Sequence, residues 1–515
     1  MRDPGAAPEA SPRAERLVRW ALPLALFALH AATARGYGVF RDELYYFACG
    51  QHLDWGYVDH PPLVAVGAAL SSALAGRSWI ALRLISALAA GATALLAGDT
   101  ARALGGGRFA RLVTQLLVVA APALLALCST YSMNPLDLVV WAALFRLAAQ
   151  LLAGGDPRRW LLFGALAGVA LEVKLSALYL GAGFVLGLLA ARRTDVLRER
   201  RFWLAGGVAA ALFAPYLVWQ AAHGWPTVEF VANARRVKIA ALAPHEYVLA
   251  QFVQAGPVGF ALAIAGCVWL LAARRARPFR ALGWAPLATL AVLAAGGSKP
   301  YYFAAAFTLL FPAAGVALEQ WTAGARRRGV LRAAAVTAVA AQLALAPLAK
   351  PLLPVESYLR YAAALGFTPG SDERHQMGRL PQYFADMHGW RELAEAAARV
   401  HRALPPAERE RACVYAGNYG EAGALDFFAP ELGLPPAISG HNSYWLWGPG
   451  ACTGAVLLLL GEPRQEHADD FASVELGGVH RCADCMPYEA ELPIWIGRGL
   501  RAPLGAAWSA VRHYD

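Results

Sequence analysis

Long apolar stretches recur along the first two thirds of the chain, near residues 20–34, 79–98, 110–127, 135–153, 159–173, 175–191, 203–220, 247–272, 283–296, 302–320 and 331–349. A bilayer core offers no water to backbone amides, so a chain crosses it as helices of about 20 mostly apolar residues. Eleven such stretches predict a mainly α-helical, polytopic membrane protein. Composition agrees, since 58% of the 515 residues are hydrophobic and only 16% charged, too apolar a balance for a soluble chain of this size.

The arginines test this reading, because cytoplasmic loops of a membrane protein carry an excess of positive charge. With the N-terminus placed in the cytoplasm, its side collects Arg2, Arg13, Arg16 and Arg19, then Arg102, Arg108 and Arg111, then Arg158 and Arg159. It also collects Arg192, Arg193, Arg198, Arg200 and Arg201, then Arg274, Arg275, Arg277 and Arg280, and finally Arg326, Arg327, Arg328 and Arg332, 22 in all. The opposite side holds nine, namely Arg35, Arg41, Arg77, Arg83, Lys174, Arg235, Arg236, Lys238 and Lys299. The net charge of +10 is therefore a topological signal, and no nucleic-acid partner is called for.

Two stretches need separate treatment. Arg13, Arg16 and Arg19 precede Ala21–Ala34, and Ala32-Thr33-Ala34 resembles a signal-peptidase site; cleavage there would make the opening loop a new N-terminus, so the first helix is read as retained. Pro62–Gly76 is apolar enough to span, but counting it would move two arginine-rich loops outside. It is read instead as a helix in the outer membrane interface.

An odd number of spans puts residues 350–515 outside the cytoplasm, as a domain distinct from the transmembrane part at 1–349. There the pattern changes to a helix over Gly389–Leu404 and β-like runs ACVYAG, AVLLLLGE, FASVELGGV and PIWIGR, with the helix EAGALDFF after the first. This predicts a small α/β domain. Four of the seven cysteines, Cys413, Cys452, Cys482 and Cys485, lie in it. An outside location favours disulfides, with three pairings open; the CxxC at Cys482 and Cys485 leaves zinc as the alternative.

Charged groups near lipid are costly, so those that persist are functional candidates. They gather on the outer side: Arg41, Asp42, Glu43, Asp59 and His60 in the loop 35–78, Arg83 at the start of the second span, Lys174 and Lys299 in later turns. Carboxylates there could act as general base, and the cations could hold a phosphate at the membrane border. The competing reading is that lysines at helix ends snorkel and that tyrosine and tryptophan form an interfacial belt. Asp59 with His245 is a candidate divalent-metal pair.

The run RDELYYFACGQHLDWGYVDHPPL at 41–63 resembles the first periplasmic loop of bacterial family 39 glycosyltransferases, relatives of protein O-mannosyltransferases and of the lipid A aminoarabinose transferase. ARALGGGRFAR, GVALEVKLSALYL, GWPTVEFVANAR, KPYYFAAAFTLLFPAAGVALE, LPQYFADMHGW, NYGEAGALDFF and ISGHNSYWLWGP carry the likeness onward in order. The resemblance implies a GT-C fold in a bacterial inner membrane. It implies sugar transfer, with inversion, from a polyprenyl-phosphate donor to a glycan, lipid or protein acceptor on the outer face. Carried over, Asp42 is the catalytic acid with Glu43 its neighbour, and Arg41, Tyr45, Asp59, His60, Arg83, Lys174, Lys299, Tyr301 and Tyr302 contact substrate. His60 stands where the aminoarabinose transferase has lysine, and Glu172 and Leu175 stand where relatives carry a small or apolar residue and a tyrosine. A flippase binding the same lipid without chemistry is the alternative, though no internal repeat is visible and the polar groups avoid the midplane, apart from Arg146.

Overall fold

The computed structural model describes residues 12–240, 242–461, 464 and 468–515. Arg2 of the charge tally and Glu462 at the end of AVLLLLGE lie outside the described residues. Each of the eleven apolar stretches is helical. Among the described residues, six helices are long and apolar enough to cross a membrane: Trp79–Ala103, Met133–Leu152, Arg200–Ala222, Arg274–Ala295, Pro300–Ala323 and Arg328–Ala349. Others, such as Arg159–Val173 and Ala177–Ala190, are shorter, and Pro12–Ala32 carries charge in its first turns.

The stretch 247–272, expected as one span, is two helices. Pro244–Ala255 and Pro257–Ala272 meet at 115°, because Pro257 supplies no amide hydrogen and Gly256 takes φ +74. Counted together, the pair would make a seventh crossing.

Small residues let the membrane helices approach closely. A Cβ at Gly168 would lie 2.7 Å from Leu212 Cβ, and one at Gly183 would lie 2.7 Å from the Ala285 carbonyl, which fits packing by van der Waals contact where lipid removes the hydrophobic driving force. Contacts also sort the loops into two ends. Arg19 and Arg111 share Asp99, Glu15 takes Arg108 and Arg111, Glu319 accepts from the Gly107 amide, and Arg193 donates to the Pro278 carbonyl. These contacts join loops that the arginine pattern assigns to one side. Arg146, buried in the sequence of a span, reaches the same Asp99 at 4.0 Å.

At the other end stands a five-stranded sheet: β1 (Ala412–Tyr415), β2 (Ala437–Ile438), β3 (Val456–Leu460), β4 (Phe471–Arg481) and β5 (Glu491–Leu500), in the order β2-β1-β3-β5-β4. β1 runs parallel to β2 and β3, whereas β5 is antiparallel to β3 and β4. The central β3, VLLLL, is buried throughout, as expected of a strand covered on both faces. Cys413 pairs with Cys452 and Cys482 with Cys485. The helices Trp390–Ala403 and Tyr419–Leu432 pack beside the sheet, and the second of them rests on Arg41–Gln51 of the loop 35–78. Leu44, Tyr45 and Phe47 of that loop share one apolar core with Leu393, Val414, Leu425 and Leu458. Pro62–Gly76 contains the helix Leu63–Ala75, whose Val64, Ala65 and Ala68 enter this core while Leu70 and Leu74 stay exposed.

Candidate functional site

Between the membrane helices and the sheet lies a cavity of about 950 Å³. Its walls include Arg41, Asp42 and Asp59 from the first loop, Lys174 and Tyr179 from one helix turn, and Lys299, Tyr301 and Tyr302 from another. The C-terminal part contributes Glu373, Asp386 and Tyr419.

The helix Arg41–Gln51 separates the two neighbouring acids. Glu43, fully buried, receives the Phe40 amide at 2.8 Å, the Tyr131 amide at 2.8 Å, and both Nε and Nη2 of Arg83 at 2.7 Å. Every lone pair thus has a partner, and Arg83 spends its remaining donors on the carbonyls of Ala34, Arg35 and Gly38. This bidentate pair ties the loop to the start of the Trp79–Ala103 helix, and neither residue lines the cavity. Asp42 points the other way, with its side chain 33% exposed. Its Oδ1 accepts a 2.9 Å hydrogen bond from the Tyr419 hydroxyl. Arg41 holds the hydroxyl oxygen of the same tyrosine at 2.9 Å and that of Tyr488 at 3.0 Å.

Asp59 accepts from the Tyr45 hydroxyl at 2.9 Å, and burial pushes its carboxyl above the ordinary range. Tyr45 is itself buried and off the cavity wall, also bonded to Ser443. His60 is fully buried, its ring stacked on Tyr57 at 4.6 Å and its Nε2 3.7 Å from Cys49; it too lies off the wall. The loop Asp59-His60-Pro61 therefore offers its acid to the cavity and packs its histidine inside.

Lys174 donates to Asn134 at 2.8 Å, lies 3.9 Å from Asp137, and sits over the Tyr302 ring at 4.5 Å. Lys299 pairs with Glu373 at 2.6 Å. Glu373 belongs to a segment that crosses to 236–240, where Ala240 donates to Asp372, Arg374 to Lys238, and Ile239 pairs with Glu373. Burial pushes the Glu373 carboxyl up, but a hydrogen bond from His375 and the charges of Lys299, Lys238 and Arg41 hold it well below the usual carboxylate range. Asp386 goes the opposite way. Buried, it is pushed up to about 6 despite Arg41, with Asp42 and Glu373 adding repulsion.

The candidate metal pair does not assemble on this wall. Asp59 lines the cavity, whereas His245 is exposed in the first turn of Pro244–Ala255 and does not. Among the described residues, the groups of three or more His, Cys, Asp or Glu close enough to share an ion are His480 with Cys482 and Cys485, and His441 with His513 and Asp515. Neither contains Asp59 or His245, and the first has its sulfurs joined in a disulfide.

Residues 59–219 match the family model of dolichyl-phosphate-mannose-protein mannosyltransferase. The resemblance to family 39 glycosyltransferases holds. ArnT from Cupriavidus metallidurans, solved bound to undecaprenyl phosphate and in the apo state, superposes at TM-score 0.59 with 15% identity over 94% of this chain and 98% of its own. At that identity the likeness establishes a shared fold. The archaeal oligosaccharyltransferase AglB from Archaeoglobus fulgidus aligns at TM-score 0.45 and 12% identity, over 81% of this chain and 64% of its own. No curated protein sequence matches the chain.

Against the sequence reading, the cavity brings together Arg41, Asp42, Asp59, Lys174, Lys299, Tyr301 and Tyr302, and leaves out Glu43, Tyr45, His60 and Arg83. Sequence reasoning gave Lys238 no role beyond its charge and singled out none of Glu373, Asp386 and Tyr419. Asp386 and Tyr419 lie inside LPQYFADMHGW and NYGEAGALDFF, motifs that carried the family likeness without being given roles. The signal available was a polar residue beside a buried motif in a segment expected outside the membrane.

Proposed function

We propose that this chain is a membrane glycosyltransferase that moves a sugar from a polyprenyl-phosphate donor to an acceptor on the extracytoplasmic face, inverting the anomeric carbon. The observation that carries the reading is Asp42, a cavity-facing carboxylate on the same wall system as Lys174, Lys238 and Lys299. Asp42 takes the proton of an acceptor hydroxyl as the hydroxyl oxygen attacks the anomeric carbon. The bond from that carbon to the donor phosphate oxygen breaks, and its electron pair leaves with the phosphate. A positioned base assists such a step by about 10² to 10⁴, and the lysines stabilise the charge that develops on the leaving phosphate. One base facing one leaving group gives a single displacement, hence inversion.

The remaining features of the reading are proposed with it: eleven crossings with the N-terminus in the cytoplasm of a bacterial inner membrane, a transmembrane part at 1–349, and an extracytoplasmic α/β part at 350–515. ArnT, with which the fold is shared, was solved with undecaprenyl phosphate, which supports a lipid-phosphate donor here. Glu43 and Arg83 are assigned to holding the loop, and no step is routed through a metal.

The test is transfer by purified protein given undecaprenyl-phosphate-linked hexoses and pentoses and a panel of glycan, lipid and peptide acceptors. Asp42→Asn is expected to lose at least about 100-fold in kcat while retaining undecaprenyl phosphate binding. Full activity in that variant sinks the assignment of the base.

A further inference from the structure

Tyr419 is brought to Asp42 by an unusually close helix crossing. Asn418 caps the helix Tyr419–Leu432 by accepting the Gly420 and Glu421 amides at 2.8 and 3.0 Å, which fixes where its first residue stands. Gly420 and Gly423, three apart and so on one helix face, lie against Arg41–Gln51. A Cβ at 420 would strike the Arg41 stem, and one at 423 would come 2.9 Å from the Leu44 carbonyl carbon and 3.0 Å from the Tyr45 amide. Only backbone without side chain lets the two helices meet so closely.

The crossing places a phenol whose bonding is determined on both sides. Arg41 Nη2 has only hydrogens to offer, so the Tyr419 oxygen accepts from it, and its single proton goes to Asp42 Oδ1. The ring is held between Tyr45 at 4.8 Å and His441 at 4.9 Å. Arg41 lies 5.0 Å from its centroid.

We propose that Tyr419 is a positioning residue for the base. It orients the Asp42 carboxylate by donating to Oδ1, which leaves Oδ2 to receive the acceptor proton. The outer domain thereby completes the reaction centre rather than only framing the acceptor. The inference rests on the reading of Asp42 as base for its catalytic meaning, but the hydrogen bond itself can be tested apart from turnover. Other groups around Asp42 are Arg41 and Tyr46 on its own helix, Asp59 on the following loop, Tyr301 on the turn after Lys299, and Asp386. Lys238 and Glu373 reach it through Tyr419. All of them remain in a Tyr419→Phe variant, so a change can be assigned to the lost hydroxyl.

The experiment is infrared difference spectroscopy of carboxylate bands on full-length protein in nanodiscs at neutral pH, with the Asp42 bands identified by their loss in Asp42→Asn. In Tyr419→Phe the Asp42 carboxylate stretching bands are expected to shift in frequency, as the loss of a hydrogen bond to Oδ1 requires. With a transferring donor and acceptor pair, kcat at neutral pH falls at least about ten-fold, and donor KM holds. If Tyr419→Phe does not fold, 3-fluorotyrosine at 419, isosteric and a stronger hydrogen-bond donor, is expected to shift the same bands in the opposite direction. Bands unmoved in the variant that folds overturn the proposal. Shifted bands together with a fully active Asp42→Asn would instead sink the reading of Asp42 as base and leave the hydrogen bond standing.

Discussion

Two adjacent acids, Asp42 and Glu43, are indistinguishable by type in the sequence and opposite in fate in the structure. Successive residues of an α-helix are turned by about 100°, so once Arg41–Gln51 is helical only one of the two can face the cavity while the other faces Arg83. Which one does so depends on the helix's rotation about its axis. That rotation is set by packing against the helix Tyr419–Leu432, more than 360 residues later in the chain, which local sequence does not contain. Asp386 is a residue whose surroundings make a measurable demand. Its folded value of about 6 lies above the ordinary 3.8, so the stabilising contribution of its neutral form is complete below about 3.8 and is lost as pH rises through 6. Asp386→Asn is therefore expected to raise thermal stability at pH 8 by the equivalent of about 3 kcal/mol and to leave it unchanged at pH 3.5. A melting curve with equal shifts at both values would refute this account.

Among elements, the membrane helices were legible from the length of their apolar stretches, and most strands of the C-terminal part from short runs rich in apolar and β-branched residues, both of which are local properties of the chain. ACVYAG and AVLLLLGE contain β1 and β3, whereas FASVELGGV and PIWIGR lie within the longer β4 and β5. The two-residue β2 was not, being too short to show a period. Nor was the break at 256 read, since hydropathy continues unbroken across the Gly256-Pro257 pair that makes it. The crossing of Tyr419–Leu432 over Arg41–Gln51 is an element-scale contact with a clear test. Gly423→Val puts branched carbon where 2.9 Å separates it from backbone, so the helices must part. Overpacking of this kind costs about 1 to 3 kcal/mol or more, and limited proteolysis in nanodiscs is expected to release the outer part of this variant faster than that of the parent. Equal cleavage rates would show that the crossing tolerates a side chain.

At the scale of the whole molecule, the arginine alternation and the loop contacts agree on which turns share an end, since Glu15, Asp99 and Glu319 collect partners from loops assigned to one side. The proposed orientation then makes a labelling prediction. A membrane-impermeant thiol reagent added to intact cells is expected to modify Ser473→Cys on exposed β4 and to spare Arg327→Cys, with both labelled after lysis. The reverse pattern would invert the topology. The core shared by the first loop and the sheet has a consequence in time. Asp42 and Tyr419 stand 377 residues apart, which at about 5 to 20 residues per second of synthesis is roughly 20 to 75 s. For that interval the emerging loop lacks the helix Tyr419–Leu432 that Leu44 and Phe47 are buried against, so one of the earliest segments to be made is among the last to reach its final packing.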